Sequence, residues 1–242
     1  MKRVLFAVAF VAAVSSTQAQ DLKGLIKSVT SKKDSTGTSS SSTDISSALK
    51  QALTIGAQKG ASQLSAVNGF FGNAAVKILM PPEAQKAEKT LRSMGLNKQV
   101  DDAILAMNRA AEDAAKSAAP IFVDAIKQMS IQDAVGILKG SDTAATVYLK
   151  SKTTTSLTKA FKPTVDSSLG KVDATKYWTT LTTAYNKIPF TKKMETDLTA
   201  YVTDRALSGL FYEVGQQEKL IRKDPVAQTT DLLKQVFGGL GK

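Results

Sequence analysis

Asn108, Arg109 and Glu112 stand within five residues of one another, and Glu218 and Arg222 stand four apart much later in the chain. Asn108 and Glu112 are also four apart, as are Arg109 and Asp113. On an α-helix that spacing puts both side chains on one face. A guanidinium offers a planar fork of N–H donors that suits carboxylates and other anions. Two kinds of chemistry fit. In one, Asn108, Arg109 and Glu112 face Glu218 and Arg222 across a buried site that holds an anionic or glycan ligand. In the other, the same residues form a salt-bridge network that ties two long helices together. The network is the favoured reading, because none of these residues supplies a nucleophile.

Composition narrows the remaining chemistry. The chain has neither histidine nor cysteine. Ser-His-Asp triads, Cys-His catalysis and ordinary zinc sites are therefore excluded, and no cofactor or metal is implied. Carboxylate chemistry and calcium binding stay open. Asp101 and Asp102 form a carboxylate pair, but neighbours on a helix point apart, unlike the dyad of a retaining glycosidase. Tyr177, Trp178, Phe211 and Tyr212 either line an aromatic groove or, as is commoner, sit in the core with a polar tip in water. The formal net charge is +11. It favours acidic partners, but the basic residues are mostly scattered lysines, and no specific nucleic-acid reading is implied.

The first residues read as a targeting signal. Lys2 and Arg3 precede an apolar run from Val4 to Val14, too short to span a membrane, and Thr17-Gln18-Ala19 follows with small residues where a signal peptidase reads. Cleavage after Ala19 is expected. No cysteine follows the site, which excludes a lipid anchor of the bacterial lipoprotein kind. No second long apolar run exists, so no transmembrane segment is expected in the mature chain. Residues 20–43 form a Ser/Thr-rich flexible arm, unable to bury enough apolar surface to order itself.

The elements that must position the polar residues are helices. From Val100 to Met129 apolar residues recur at Val100, Ile104, Met107, Ala111, Ala114, Ala118, Ile121 and Ala125, alternating steps of four and three. This predicts one long central helix, kinked at Pro120, with an alanine face that lets a neighbour approach closely. Thr43 or Asp44 caps an earlier helix carrying Gly56-x-x-x-Gly60, read as close packing between soluble helices. Asn68-Gly69 breaks that helix, and Phe70 to Leu79 reads as a short apolar one ended by Pro81-Pro82. Pro82 starts the next, Gly95 caps it, and Asn97 caps the central helix. Ser130 to Asp133 approaches a capping box, and Gly140 stops its helix. Asp142 to Phe161 is predicted helical, interrupted at Lys162-Pro163. Asp173 caps 174–186, and a last long helix covers about 193–222. A short one covers 229–237, before a frayed tail at 239–242. The expectation is a single all-α domain over residues 44–238.

Several separated segments are familiar in this order: KGASQLSAVNGFFGNAAVKILMPPEAQK, MNRAAEDAAKSAAPIF, DAVGILKGSDTAATVYLK, YVTDRALSGLFYEVGQQEKLIRKDP and TTDLLKQVFG. From about Ile45 to Gly238 the chain resembles the domain-of-unknown-function family 4197 of Gram-negative envelope proteins. The resemblance implies an all-helical exported protein and no particular activity. It singles out Asn108, Arg109 and Glu112, then Asp142, Thr146 and Tyr148, then Glu218, Arg222, Asp224 and Pro225, so that Asp224 joins the candidate cluster. It also implies a lipobox cysteine in many relatives, which this chain lacks. The function expected is that of a non-catalytic periplasmic binding or scaffold protein, meeting acidic envelope components or another envelope protein. A binder of a small molecule, lipid or anionic glycan in a pocket between helices comes second, and a carboxylate-dependent hydrolase third.

Overall fold

Apolar periodicity and capping build the following elements in a computed structural model. It describes residues 42–93, 95–171, 175, 178–179, 182–183, 186 and 197–223. The expected signal peptide, the flexible arm up to residue 41, the cap at Asp173, Tyr177, Asp224, Pro225 and the terminal helix lie outside the described residues. Helix α1 is Ser42–Ser65, followed after a long loop by a 3-10 turn at Pro82–Ala84 and α2 at Gln85–Ser93. Then come α3 (Asn97–Ala115), α4 (Ala118–Lys127), α5 (Ile131–Lys139), α6 (Ala144–Gly170) and α7 (Leu198–Lys223). The fold is all-α, as the periodicity predicts.

Helices α6 and α7 run antiparallel. Thr146 meets Glu218 near one end of the pair and Asp166 meets Thr199 near the other. Helix α3 packs on both, while α1 packs on α7 and α4. The core between them is filled by Leu49, Leu64, Met107, Phe122, Leu157 and Leu210, all essentially inaccessible to solvent. Close approach of α1 to α7 depends on Gly56 and Gly60. A Cβ on Gly56 would lie 3.2 Å from the Ile221 side chain, and one on Gly60 would lie 3.5 Å from the backbone of Val214. The Gly-x-x-x-Gly motif therefore serves packing between soluble helices, as its polar neighbours suggest. The alanine face is buried as expected, with Ala111 and Ala114 on α3 and Ala118 at the start of α4 fully covered.

Several expectations need correction. The central helix is broken rather than kinked, at Lys116 and Ser117, between α3 and α4. Pro120 has no N–H to give the Lys116 carbonyl and its ring crowds that group. The chain leaves the helix there, closing it with short bonds from Lys116 N to Asp113 O and from Ser117 N to Ala114 O. Pro120 then occupies the first turn of α4, where its missing donor costs nothing. The break also rotates the apolar face. Phe122 and Ile126 are buried, whereas Ile121 and Ala125 are only half-buried. Pro163, conversely, does not interrupt α6. Phe161, Val165 and Leu169 are all fully buried around it, and that burial outweighs a cost of about 3 kcal/mol for an interior proline. The threonines of α6 turn back on their own helix, Thr153 donating to Leu149 O and Thr158 to Thr154 O.

Smaller differences concern the caps. The N-cap of α3 is Leu96 rather than Asn97, and that of α6 is Thr143. The capping box at α5 is complete, with Ser130 and Asp133 each holding the other's backbone N–H. Gly95 has φ +84°, the left-handed conformation glycine tolerates at a helix end. Val67 lies beyond the end of α1 and is 79% exposed. The largest correction concerns the segment from Phe70 to Leu79, which is not a helix but a loop of turns and irregular backbone.

Candidate functional site

The polar residues do not meet as one cluster. They form two separate assemblies, each built on a buried carboxylate that binds two consecutive backbone N–H groups. In the first, Glu112 Oε1 on α3 accepts from Phe70 N and Phe71 N, both at 3.1 Å. Arg109, three residues back, donates to Glu112 Oε2 and to Asn68 Oδ1. Asn108, fully buried, pairs in both directions with Ile78: its Oδ1 accepts Ile78 N at 2.9 Å and its Nδ2 donates to Ile78 O at 2.8 Å. A further bond runs from Nδ2 to Ile104 O. The loop between α1 and α2 is thus non-helical because α3 meets its backbone hydrogen bonds from inside. Asn68, at φ +68°, turns the chain out of α1 to reach this arrangement.

In the second assembly, Glu218 on α7 reaches the N-terminus of α6. It accepts Ala145 N at 3.0 Å and both the N–H and the hydroxyl of Thr146 at 2.8 Å. Arg222 donates to Glu218 and to the carbonyls of Ile137 and Leu138 at the end of α5. Both side chains are over 90% buried. Each charge faces the helix end it suits, the carboxylate at the donor end of α6 and the guanidinium at the carbonyl end of α5. This replaces the side-chain cap that α6 lacks from its own sequence.

The expectation that Arg109 and Glu112 lie beside Glu218 and Arg222 is therefore incorrect. The first assembly meets α7 at Gly209, where a Cβ would lie 2.6 Å from the Phe70 ring. Glu218 is nine residues further along the same helix, about 13 Å away. No hydrogen bond or ion pair joins the two assemblies among the described residues. Each arginine closes on oxygens of this chain. The space beside Glu218 and Arg222, bounded by Leu49, Leu53 and Ile221, has a volume of about 10 Å³, room for one water at most.

Among the described residues the aromatic candidates are mostly buried, and Tyr177 lies outside them. Trp178 and Phe211 are buried, and Phe211 packs edge-on against Phe122 with centroids 5.9 Å apart. Tyr212, on the next position of α7, is 45% exposed. Asp142 pairs with Lys223, which holds its carboxyl below the usual range. Tyr148 lies under the Lys152 ammonium, and burial raises its phenol pKa. An open groove of about 740 Å³ runs along α6 and the start of α7, lined by Thr155, Thr158, Lys159, Lys162, Asp166 and Asp197 among others. Sequence reading missed that groove and missed the loop as a partner for Asn108 and Glu112. The signal for the loop was present in Asn68-Gly69-Phe70-Phe71-Gly72-Asn73, where glycine and asparagine crowd as they do in turns.

What the fold and these assemblies define is an all-helical protein whose inward-facing charges close on its own backbone. Residues 39–238 match the family model described as protein of unknown function (DUF4197), and the chain belongs to that family. No curated protein and no solved structure matches it.

Proposed function

We propose that this is an exported, non-catalytic binding or scaffold protein of the periplasm. The observation that carries the reading is the closure of Arg109 and Arg222 on buried carboxylates and backbone carbonyls. Residues that would grip a ligand are consumed in holding the loop after α1 and the junction of α5 with α6. The chain also lacks the histidine and cysteine on which most nucleophilic and metal catalysis relies. Its outer surface is left to do the work, with a net positive charge suited to acidic envelope components. Export rests on Lys2, Arg3, the run from Val4 to Val14 and the cleavage signal ending at Ala19. Among the described residues no helix is long and apolar enough to cross a membrane.

Mass spectrometry of the protein from cell fractions tests the address. A mature N-terminus at Gln20 in the periplasmic fraction is expected, and an intact Met1 in the cytoplasm overturns it. A second reading, a binder of small anionic glycans, is favoured only by the groove along α6. Titrating the protein with acidic oligosaccharides separates the two. Saturable binding lost in Lys159→Glu supports the second reading at the expense of the first.

A further inference from the structure

The loop between α1 and α2 shows water a surface that its own folding does not require. Val67 is 79% exposed and Leu79 55% exposed, and Ala74 and Ala75 between them are exposed as well. Loops that face water are ordinarily polar; this one is apolar, yet Asn108 and Glu112 hold its backbone in place from inside. Cations ring it. The Lys77 ammonium lies 4.0 Å from the centre of the half-buried Phe71 ring, and the Arg109 guanidinium approaches the same ring at 6.0 Å. From Ile45 to Pro82 the sequence contains no aspartate or glutamate. Glu112, under the loop, is buried and paired with Arg109.

We propose that this loop docks on an anionic lipid bilayer. The exposed apolar side chains of the loop enter the headgroup region to shallow depth, while Lys77 meets phosphate. Protein interfaces instead centre on large aromatic anchors in pockets, and here Phe71 lies beneath cations. The amides of Phe70, Phe71 and Ile78 are already bonded inward, so the loop offers no strand edge to a protein partner. The inference rests on the binding-protein reading but not on the periplasmic address, so the two fail in different experiments.

The test uses purified protein and vesicles of phosphatidylcholine with or without phosphatidylglycerol. Co-sedimentation is expected only with phosphatidylglycerol and is weakened by salt. Lys77→Glu should weaken it about tenfold or more, and Val67→Asp should do the same by removing insertion. Lys139→Glu makes an equal charge change at the end of α5. That end contacts Arg222, thirteen residues along α7 from Gly209 and so about 20 Å away, and its reversal should have little effect. Because the chain has no cysteine, a single environment-sensitive dye can be placed at Leu79→Cys or at Gln132→Cys. Emission should shift to the blue on vesicles only for the label at position 79. Circular dichroism checks that each variant is folded. Absence of binding to anionic vesicles, equal losses for Lys77→Glu and Lys139→Glu, or equal dye shifts at the two positions overturns the proposal. Tight binding instead to a single envelope protein, with vesicles ignored, overturns it in favour of a protein interface.

Discussion

Glu218 accepts the backbone N–H of Thr146 at 2.8 Å across 72 residues of sequence. The same carboxylate holds Arg222, so one side chain finishes α6 and neutralises a buried guanidinium. Glu218→Ala therefore strands a buried charge and two buried amide donors, at a cost of about 3–5 kcal/mol. Urea unfolding of Glu218→Ala, Arg222→Leu and the double variant should show strong coupling, the double being far less damaged than the singles imply. Additive losses would reject the arrangement.

The first assembly predicts an asymmetric result. Glu112 is almost fully buried, whereas the Arg109 side chain is 38% exposed. Arg109→Gln should cost no more than about 1 kcal/mol, while Glu112→Ala, which leaves the Phe70 and Phe71 amides unsatisfied, should cost about 3 kcal/mol. Combined with Glu218→Ala, the Glu112→Ala loss should add to within about 0.5 kcal/mol, because the two assemblies share no partner. A large coupling between them would revive a single joint site.

Small side chains at helix crossings set a third expectation. Ala114 on α3 is fully buried, and Ala114→Leu should cost about 1–3 kcal/mol through overpacking. Gly209→Ala should also destabilise, since its Cβ would press on Phe70 and Val76. Gly136 in α5 has nothing within 4 Å of a built Cβ, so Gly136→Ala should stabilise by about 0.5–1 kcal/mol. Thermal melts that moved all three in one direction would show that the crossings are misassigned.

Acid sensitivity follows from the capping box. The Ser130 hydroxyl, and then its backbone N–H, lower the Asp133 pKa. Lys116 and Lys223 chiefly do the same for Asp113 and Asp142. A carboxyl whose folded pKa is depressed stabilises fully above its unfolded value of about 4 and loses that contribution as pH falls through the folded value. Stability from these groups should thus hold from neutral pH to just above 4 and decline below it. In Ser130→Ala the Asp133 carboxyl should titrate closer to the ordinary range by carbon-detected nuclear magnetic resonance. An unchanged titration would contradict the capping geometry.

What was legible in the sequence was mostly local. The spacing of Val100, Ile104, Met107 and Ala111 marks a buried helix face, and Ser130 with Asp133 marks a helix start. Both signals lie within a few turns of the chain. The break at Lys116 was legible only as a kink, because the same proline chemistry serves either outcome and tertiary packing decides. At Pro163 packing decided the other way, as the burial of Phe161 and Val165 shows. The pairings of Asn108 with Ile78 and of Glu218 with Ala145 join side chains to backbone across 30 and 73 residues. Such bonds leave no periodic trace, so residue type announced that these groups mattered without announcing what they hold. Asp224, marked by the family resemblance, and Tyr177, marked by type, lie outside the described residues.

The reach of Glu218 has a further consequence for the order of assembly. A chain made from its N-terminus exposes α6 long before α7 exists, and until then the Ala145 and Thr146 amides have only water to bond. Helix α1 waits for the same element, since Gly56 and Gly60 are shaped to the backs of Ile221 and Val214. Contacts so distant in sequence are paid for in loop-closure entropy before they return anything. Fragments that stop before α7 therefore lack a complete core, and the domain closes late and cooperatively when α7 arrives.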